Sequence, residues 1–256
     1  MSGFARSRVA REITFMKTLI IANWKLNPTN KKEALELFKL VKNGAGQADN
    51  ATVVICPPFV YLPLLSGMTL GAQNVAFEDK GAFTGEVSPV MLKDLGIEYV
   101  LIGHSERRKY FAETNEMVNQ KIKASLRAGL SVVLCIGENE GENALEVLAL
   151  QLAEGLQTIT KEEMEHVAIA YEPVWAIGTG KNCGIEQTAG VAVQIRAMIE
   201  KLYDKETAEK TAVLYGGSVK SENSGEYLEK GGVNGLLVGG ASLKADEFIK
   251  IIASAK

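Results

Sequence analysis

The chain has 256 residues, 46% hydrophobic and 23% charged, a balance that suits a globular domain and argues against disorder, collagen and coiled coil. Lys and Arg total 28 against 31 Asp and Glu, a net charge of -3, so no basic field points to nucleic acid. Three widely spaced cysteines, Cys56, Cys135 and Cys183, form no CxxC pair, which indicates a reducing, cytoplasmic setting rather than a disulfide framework or a metal cluster.

Residues 1–15 carry Arg6, Arg8 and Arg11 against Glu12 and lack the continuous apolar segment of a secretory signal. They read as an N-terminal extension, with the catalytic fold expected over 16–256. No apolar run approaches the roughly 18 residues of a membrane span, so no membrane association is expected. From Lys17 onward eight β-rich runs recur, at 18–22, 52–56, 69–73, 99–103, 131–136, 167–171, 211–215 and 235–239. Most are continuously apolar, the pattern of strands buried on both faces of a parallel sheet. Between them, Ala34, Leu37, Phe38 and Val41 mark a helical stripe, as do Leu145, Leu148, Ala149 and Leu152. Val191, Ile195, Met198 and Leu202 form another stripe, and Ala245, Phe248, Ile249 and Ile252 a fourth. Ser88 followed by Pro89 predicts a capped helix start. Eight strand–helix units of roughly thirty residues each suit a single closed (β/α)8 barrel of parallel strands. A doubly wound sheet has the same element order. Both architectures place ligands at the carboxyl ends of the strands.

Those ends carry the chemistry. The first run leads into Asn23 and Lys25, the fourth into His104, Ser105 and Glu106, and the sixth into Glu172. A loop of Pro173, Val174, Trp175, Ala176, Ile177, Gly178, Thr179 and Gly180 follows Glu172, with the rigid start and paired glycines of a segment that closes as a unit. It matches neither nucleotide pattern: Walker spacing requires Gly where Trp175 stands, and the dinucleotide spacing requires Gly or Ala where Cys183 stands. Runs seven and eight lead into Gly216-Gly217-Ser218 and Gly239-Gly240. Glycines after those two strands of a barrel commonly bring backbone amides to a phosphate.

The chain resembles the triosephosphate isomerase family from Lys17 to Lys256. The resemblance is carried by Ala22-Asn23-Trp24-Lys25, Ala72-Gln73-Asn74, Gly81-Ala82-Phe83-Thr84-Gly85-Glu86, Ile102-Gly103-His104-Ser105-Glu106-Arg107-Arg108 and Cys135-Ile136-Gly137-Glu138. It continues through Ala170-Tyr171-Glu172, the loop after it, Tyr215-Gly216-Gly217-Ser218-Val219 and Val238-Gly239-Gly240-Ala241-Ser242. This resemblance implies a TIM barrel that interconverts dihydroxyacetone phosphate and D-glyceraldehyde 3-phosphate without a cofactor, in glycolysis and gluconeogenesis. It implies Glu172 as base, His104 as a neutral electrophile, Lys25 and Asn23 as oxyanion stabilisers, and Gly178, Ser218, Gly239 and Gly240 as phosphate donors. The pairing of a carboxylate base with a neutral imidazole is an established feature of that family, implied here by the resemblance alone. Glu106 is expected to contact Lys25, with Ser105 in support and Leu237 pressing on the catalytic carboxylate. Cys135 and Trp175 are expected to serve in packing and in the loop. The family's homodimer implies that a loop over 73–86, containing Thr84, inserts into a partner. Lys181-Asn182-Cys183 departs from the family's Lys followed by a small pair, and the extension is unexplained by the resemblance. A different phosphate-binding barrel enzyme would show a Schiff-base lysine or a carboxylate pair instead of His104 with Glu172. A barrel retained only for binding would show no turnover.

Overall fold

A computed structural model describes residues 17–45, 50–177 and 183–255. The extension, Gly178, Thr179, Gly180, Lys181 and Asn182 lie outside the described residues.

The eight apolar runs form β1 (Thr18–Asn23), β2 (Ala51–Cys56), β3 (Thr69–Ala72), β4 (Tyr99–Ile102), β5 (Ser131–Ile136), β6 (Val167–Tyr171), β7 (Val213–Tyr215) and β8 (Gly235–Val238). All pair in parallel, each with the next in sequence, and β8 returns to β1 through Leu19↔Gly235 to Ala22↔Val238. The sheet is a closed barrel, which decides between the two architectures left open by pattern. Closure has a local requirement at Gly235, where an added Cβ would collide with the Leu19 carbonyl oxygen. Only glycine lets these two backbones meet there.

The helices are α1 (Lys31–Ala45), α2 (Pro89–Asp94), α3 (Ser105–Tyr110), α4 (Asn115–Arg127), α5 (Ala144–Gly155), α6 (Ile185–Leu202), α7 (Lys205–Lys210), α8 (Ser221–Lys230) and α9 (Ala245–Ala253). Ser88 caps α2 by accepting from the Met91 N–H, with Pro89 in the first turn, as the dipeptide predicts.

Continuous hydrophobicity in the strands has two destinations. Leu19, Ile21, Val54, Leu101, Val133, Cys135 and Leu237 fill the barrel interior. Their neighbours Ile20, Ala22, Ile55, Val100 and Leu134 face outward under the helices. Each alternate residue therefore enters a different apolar compartment, leaving no solvent face to carry polar residues.

Two helical stripes require correction. On α5 the buried residues are Leu148, Gln151, Leu152 and Gly155, while Leu145 and Ala149 are exposed. On α6 they are Thr188, Ala192, Ile195 and Ile199, with Val191 and Met198 half-buried and Leu202 exposed. Both helices carry apolar residues around more than one face, and each buries a polar residue, Gln151 or Thr188, that a hydrophobic count passes over. The α1 stripe is buried as expected. On α9, Phe248 and Ile252 are buried together with Ile251, whereas Ala245 and Ile249 are only half-buried.

Candidate active site

At the carboxyl end of the barrel, β1 and Trp24, which follows it, deliver Asn23 and Lys25. Lys25 has φ 53°, an uncommon conformation for a non-glycine residue. It is held from two sides: its N–H donates to Asn23 Oδ1 at 3.0 Å, and its carbonyl accepts from Gln73 Nε2 at 2.9 Å. The same Gln73 nitrogen donates to the Cys56 carbonyl at 2.8 Å, tying the turn after β1 to the end of β2. The Lys25 ammonium is thereby aimed across the barrel mouth, where Nζ meets Glu106 Oε1 at 2.6 Å. This is the contact expected of Glu106.

Gly103, at φ +74°, turns the chain out of β4 and places His104 at the N-cap of α3. Nδ1 of His104 accepts from the Glu106 N–H at 3.2 Å. The proton of the neutral ring is therefore on Nε2, which faces Glu172 Oε1 at 3.0 Å. The other carboxylate oxygen, Oε2, accepts from the Ser105 N–H at 3.0 Å. Glu172 directly follows β6 and is only 2% exposed; His104 is 5% exposed.

Burial alone would raise the Glu172 carboxyl. The His104 ring, the Ser105 amide and the Lys25 ammonium outweigh it and hold the group below the usual carboxylate range. On His104, burial disfavours the cation and Lys25 opposes it further, but the adjacent Glu172 carboxylate raises the imidazole above its ordinary value. The Glu106 amide aimed at Nδ1 still favours the neutral ring, and the upward pull lasts only while the carboxylate lies against Nε2.

Asn23, Lys25, His104, Glu172 and Leu237 line one cavity of about 570 Å³. Ile177, Ser218, Gly239 and Gly240 line it too, so most of the rim residues expected from sequence meet in one pocket, while Ser105 and Glu106 are not part of its lining. Gly216 makes room for the base: a Cβ there would lie 2.9 Å from Glu172 Cγ and 3.6 Å from Leu237 Cδ2. Leu237 and the carboxylate stem thus flank one glycine. Gly239 lies against the Lys25 stem, 3.3 Å from Cε to an added Cβ.

A model of the family described as triosephosphate isomerase matches residues 18–255. A triosephosphate isomerase of Fusobacterium nucleatum is 46% identical over 248 residues, covering 93% of this chain and 98% of the relative. Those of Alkaliphilus oremlandii and Dictyoglomus thermophilum are 43% and 44% identical, covering 92% and 93% of this chain and 98% and 99% of their own lengths. The chain belongs to the triosephosphate isomerase family.

Membership leaves individual side chains to be placed. Lys220 and Lys244 also line the cavity, as does Glu247, which is held by the Ser221 N–H at 2.7 Å and hydroxyl at 3.0 Å. Sequence reading passed over the two lysines, although each stands a few residues after a glycine pair, where a cation would reinforce an anion site. Trp175 is half-buried, and its Nε1 donates to Glu138 Oε1 at 2.8 Å. The same oxygen accepts from the Tyr171 hydroxyl at 3.1 Å. Pro173 and Ala176 are buried, Val174 and Ile177 half-buried, so the start of this loop packs onto the barrel. Gly178, Thr179 and Gly180 fall outside the described residues. Cys135 is fully buried, and burial raises its thiol well above the ordinary value, in keeping with a packing role. Thr84 is exposed and lies outside the pocket.

Proposed function

We propose that this chain interconverts dihydroxyacetone phosphate and D-glyceraldehyde 3-phosphate by proton transfer through an enediol(ate), with Glu172 and His104 as catalytic residues. The observation that carries the reading is the 3.0 Å approach of His104 Nε2 to Glu172 Oε1 at the wall of a cavity also lined by Lys25. An acid and a base on adjacent carbons are what an aldose–ketose isomerisation demands.

In the proposed reaction Glu172 removes the proton from the carbon beside the substrate carbonyl. The C–H electron pair becomes the carbon–carbon double bond, and the carbonyl pair moves onto oxygen. His104 donates its Nε2 proton to that oxygen and takes back the proton of the neighbouring hydroxyl, which restores the ring and frees that second oxygen to become the new carbonyl. Glu172 then returns its proton to the neighbouring carbon. Electrons and protons balance within the substrate, so the reaction calls for no cofactor. Lys25 and Asn23 act on charge that develops only at the oxygen in the transition state. Ser218, Gly239 and Gly240, with Gly178, serve the phosphate. Closure of the loop beginning at Pro173 keeps the enediol phosphate from eliminating phosphate into water. Leu237 maintains the dry side of the carboxylate, and Glu106 and Ser105 hold Lys25 and Glu172 respectively.

The test is an assay of the purified chain coupled to oxidation or reduction of the triose product. Fast turnover without added cofactor is expected. Absence of turnover on both trioses rejects the reading in favour of a barrel kept for binding.

We further propose a cytoplasmic homodimer acting in glycolysis and gluconeogenesis. No helix among the described residues is long and apolar enough to cross a membrane. The loop over 78–86 is exposed along its length and carries Phe83 at 42% exposure, edge-on to Phe77 with ring centroids 5.7 Å apart. A partner covering this loop would bury that ring. Sedimentation should give a dimer, and Thr84→Arg should shift it to monomer with loss of activity. A fully active wild-type monomer overturns the dimer proposal.

A further inference from the structure

Glu172 is supported from behind by a side chain on α5. Gln151 is 9% exposed, and both ends of its amide are used on one residue. Its Oε1 accepts from the Gly137 N–H at 2.8 Å, and its Nε2 donates to the Gly137 carbonyl at 3.1 Å. One side chain thus satisfies the donor and acceptor of a single backbone residue, the service a neighbouring strand would otherwise give.

Gly137 stands one residue beyond β5, where that strand's register with β6 ends at Ile136↔Tyr171. It is also where the chain presses on the catalytic residue. The Glu172 N–H donates to the Ile136 carbonyl at 2.8 Å, and the Val174 N–H donates to the Glu138 carbonyl at 3.0 Å. Between those two bonds, a Cβ on Gly137 would collide with the Glu172 carbonyl oxygen. Residues 136–138 therefore form a wall against the main chain of Glu172 and the first residues of the loop.

We propose that Gln151 is a positioning residue for Glu172, setting through Gly137 the depth at which the carboxylate enters the cavity. The inference rests on Glu172 being the base. The site has little slack. The carboxylate must remain within 3.0 Å of both the His104 ring and the Ser105 amide while its stem passes Gly216. A displacement of about 1 Å from productive geometry can cost on the order of 100-fold in rate. The residue type also follows, since a side-chain amide carries an acceptor and a donor side by side at every working pH. A carboxylate would set a negative oxygen against the Gly137 carbonyl, and a thioether would leave both backbone groups unpaired.

Gln151→Met should lower kcat by about 10- to 100-fold, with KM and the inhibition constant of inorganic phosphate nearly unchanged because the anion is gripped at the far rim. Gln151→Glu should show a similar loss at pH 8 and recover relative to wild type as pH falls. Burial beside a carbonyl raises the introduced carboxyl, and its protonated form regains a donor. The deciding measurement is a double-mutant cycle: in the Glu172→Gln background, Gln151→Met should change kcat by no more than about threefold. Equal losses in the two backgrounds, a parallel loss of phosphate binding, or no loss in Gln151→Met would each overturn the proposal. If Gln151→Met does not fold, a flat pH response of Gln151→Glu relative to wild type overturns it instead. Full activity in Glu172→Gln alone would reject the base itself, a distinct failure.

Discussion

Glu172→Gln is expected to lower kcat by about three to six orders of magnitude, equivalent to roughly 4 to 8 kcal/mol of barrier. The substitution keeps the length and shape that fit beside Gly216 and Leu237, and an amide oxygen can still accept one of the two hydrogen bonds that reach the carboxylate from His104 and Ser105. What it removes is the capacity to take a proton from carbon. The glycine loops after β7 and β8, proposed to hold the phosphate, are untouched, so KM should move far less than kcat, the signature of an interaction made in the transition state. The coupled assay under saturating substrate measures the difference. Wild-type turnover in this variant would remove Glu172 from the role of base and leave its contact with His104 without a chemical purpose.

The parts of this site that sequence displays are those whose position follows from chain direction. Asn23, Lys25, His104 and Glu172 end apolar strands or stand just beyond them, and a parallel barrel sends every such end to the same face. Glycine pairs after β7 and β8 are legible for the same reason. Barrel closure is less legible, because the decisive contact pairs Gly235 with Leu19, more than two hundred residues earlier. Gln73 and Gln151 were opaque in their roles. Each hydrogen-bonds backbone atoms of a distant loop, Lys25 and Cys56 in one case and Gly137 in the other, and neither partner leaves a periodic signal. Gln151 was hidden further by the apolar residues around it on α5, which shifted the inferred stripe onto the exposed Leu145 and Ala149. The charge state of His104 was half legible. A helix start after β4 implies an amide on Nδ1, but the opposing pull of Glu172 depends on a 3.0 Å contact formed only by folding.

His104→Gln carries the second large effect, a fall in kcat of about 100- to 1,000-fold, within the usual range for loss of one general acid. The replacement amide can still donate toward the substrate oxygen but has no proton to exchange with it. The variant should also report on the base through pH. In the wild type, burial pushes the Glu172 carboxyl up while His104, Ser105 and Lys25 pull it down, with the net result below its ordinary value. Removing the imidazole deletes the strongest of those opposing pulls, so the carboxyl must rise. Because the base works only when ionised, a higher carboxyl value means that kcat/KM begins to fall at a higher pH as the solution is acidified. The acid limb of the profile should therefore shift toward neutral in His104→Gln, whereas a ring that merely packed beside Glu172 would leave the limb where it was. Retention of the wild-type profile together with wild-type kcat would dissociate His104 from the reaction and require another donor at the substrate oxygen, for which the Lys25 ammonium on the same cavity wall is a charged candidate.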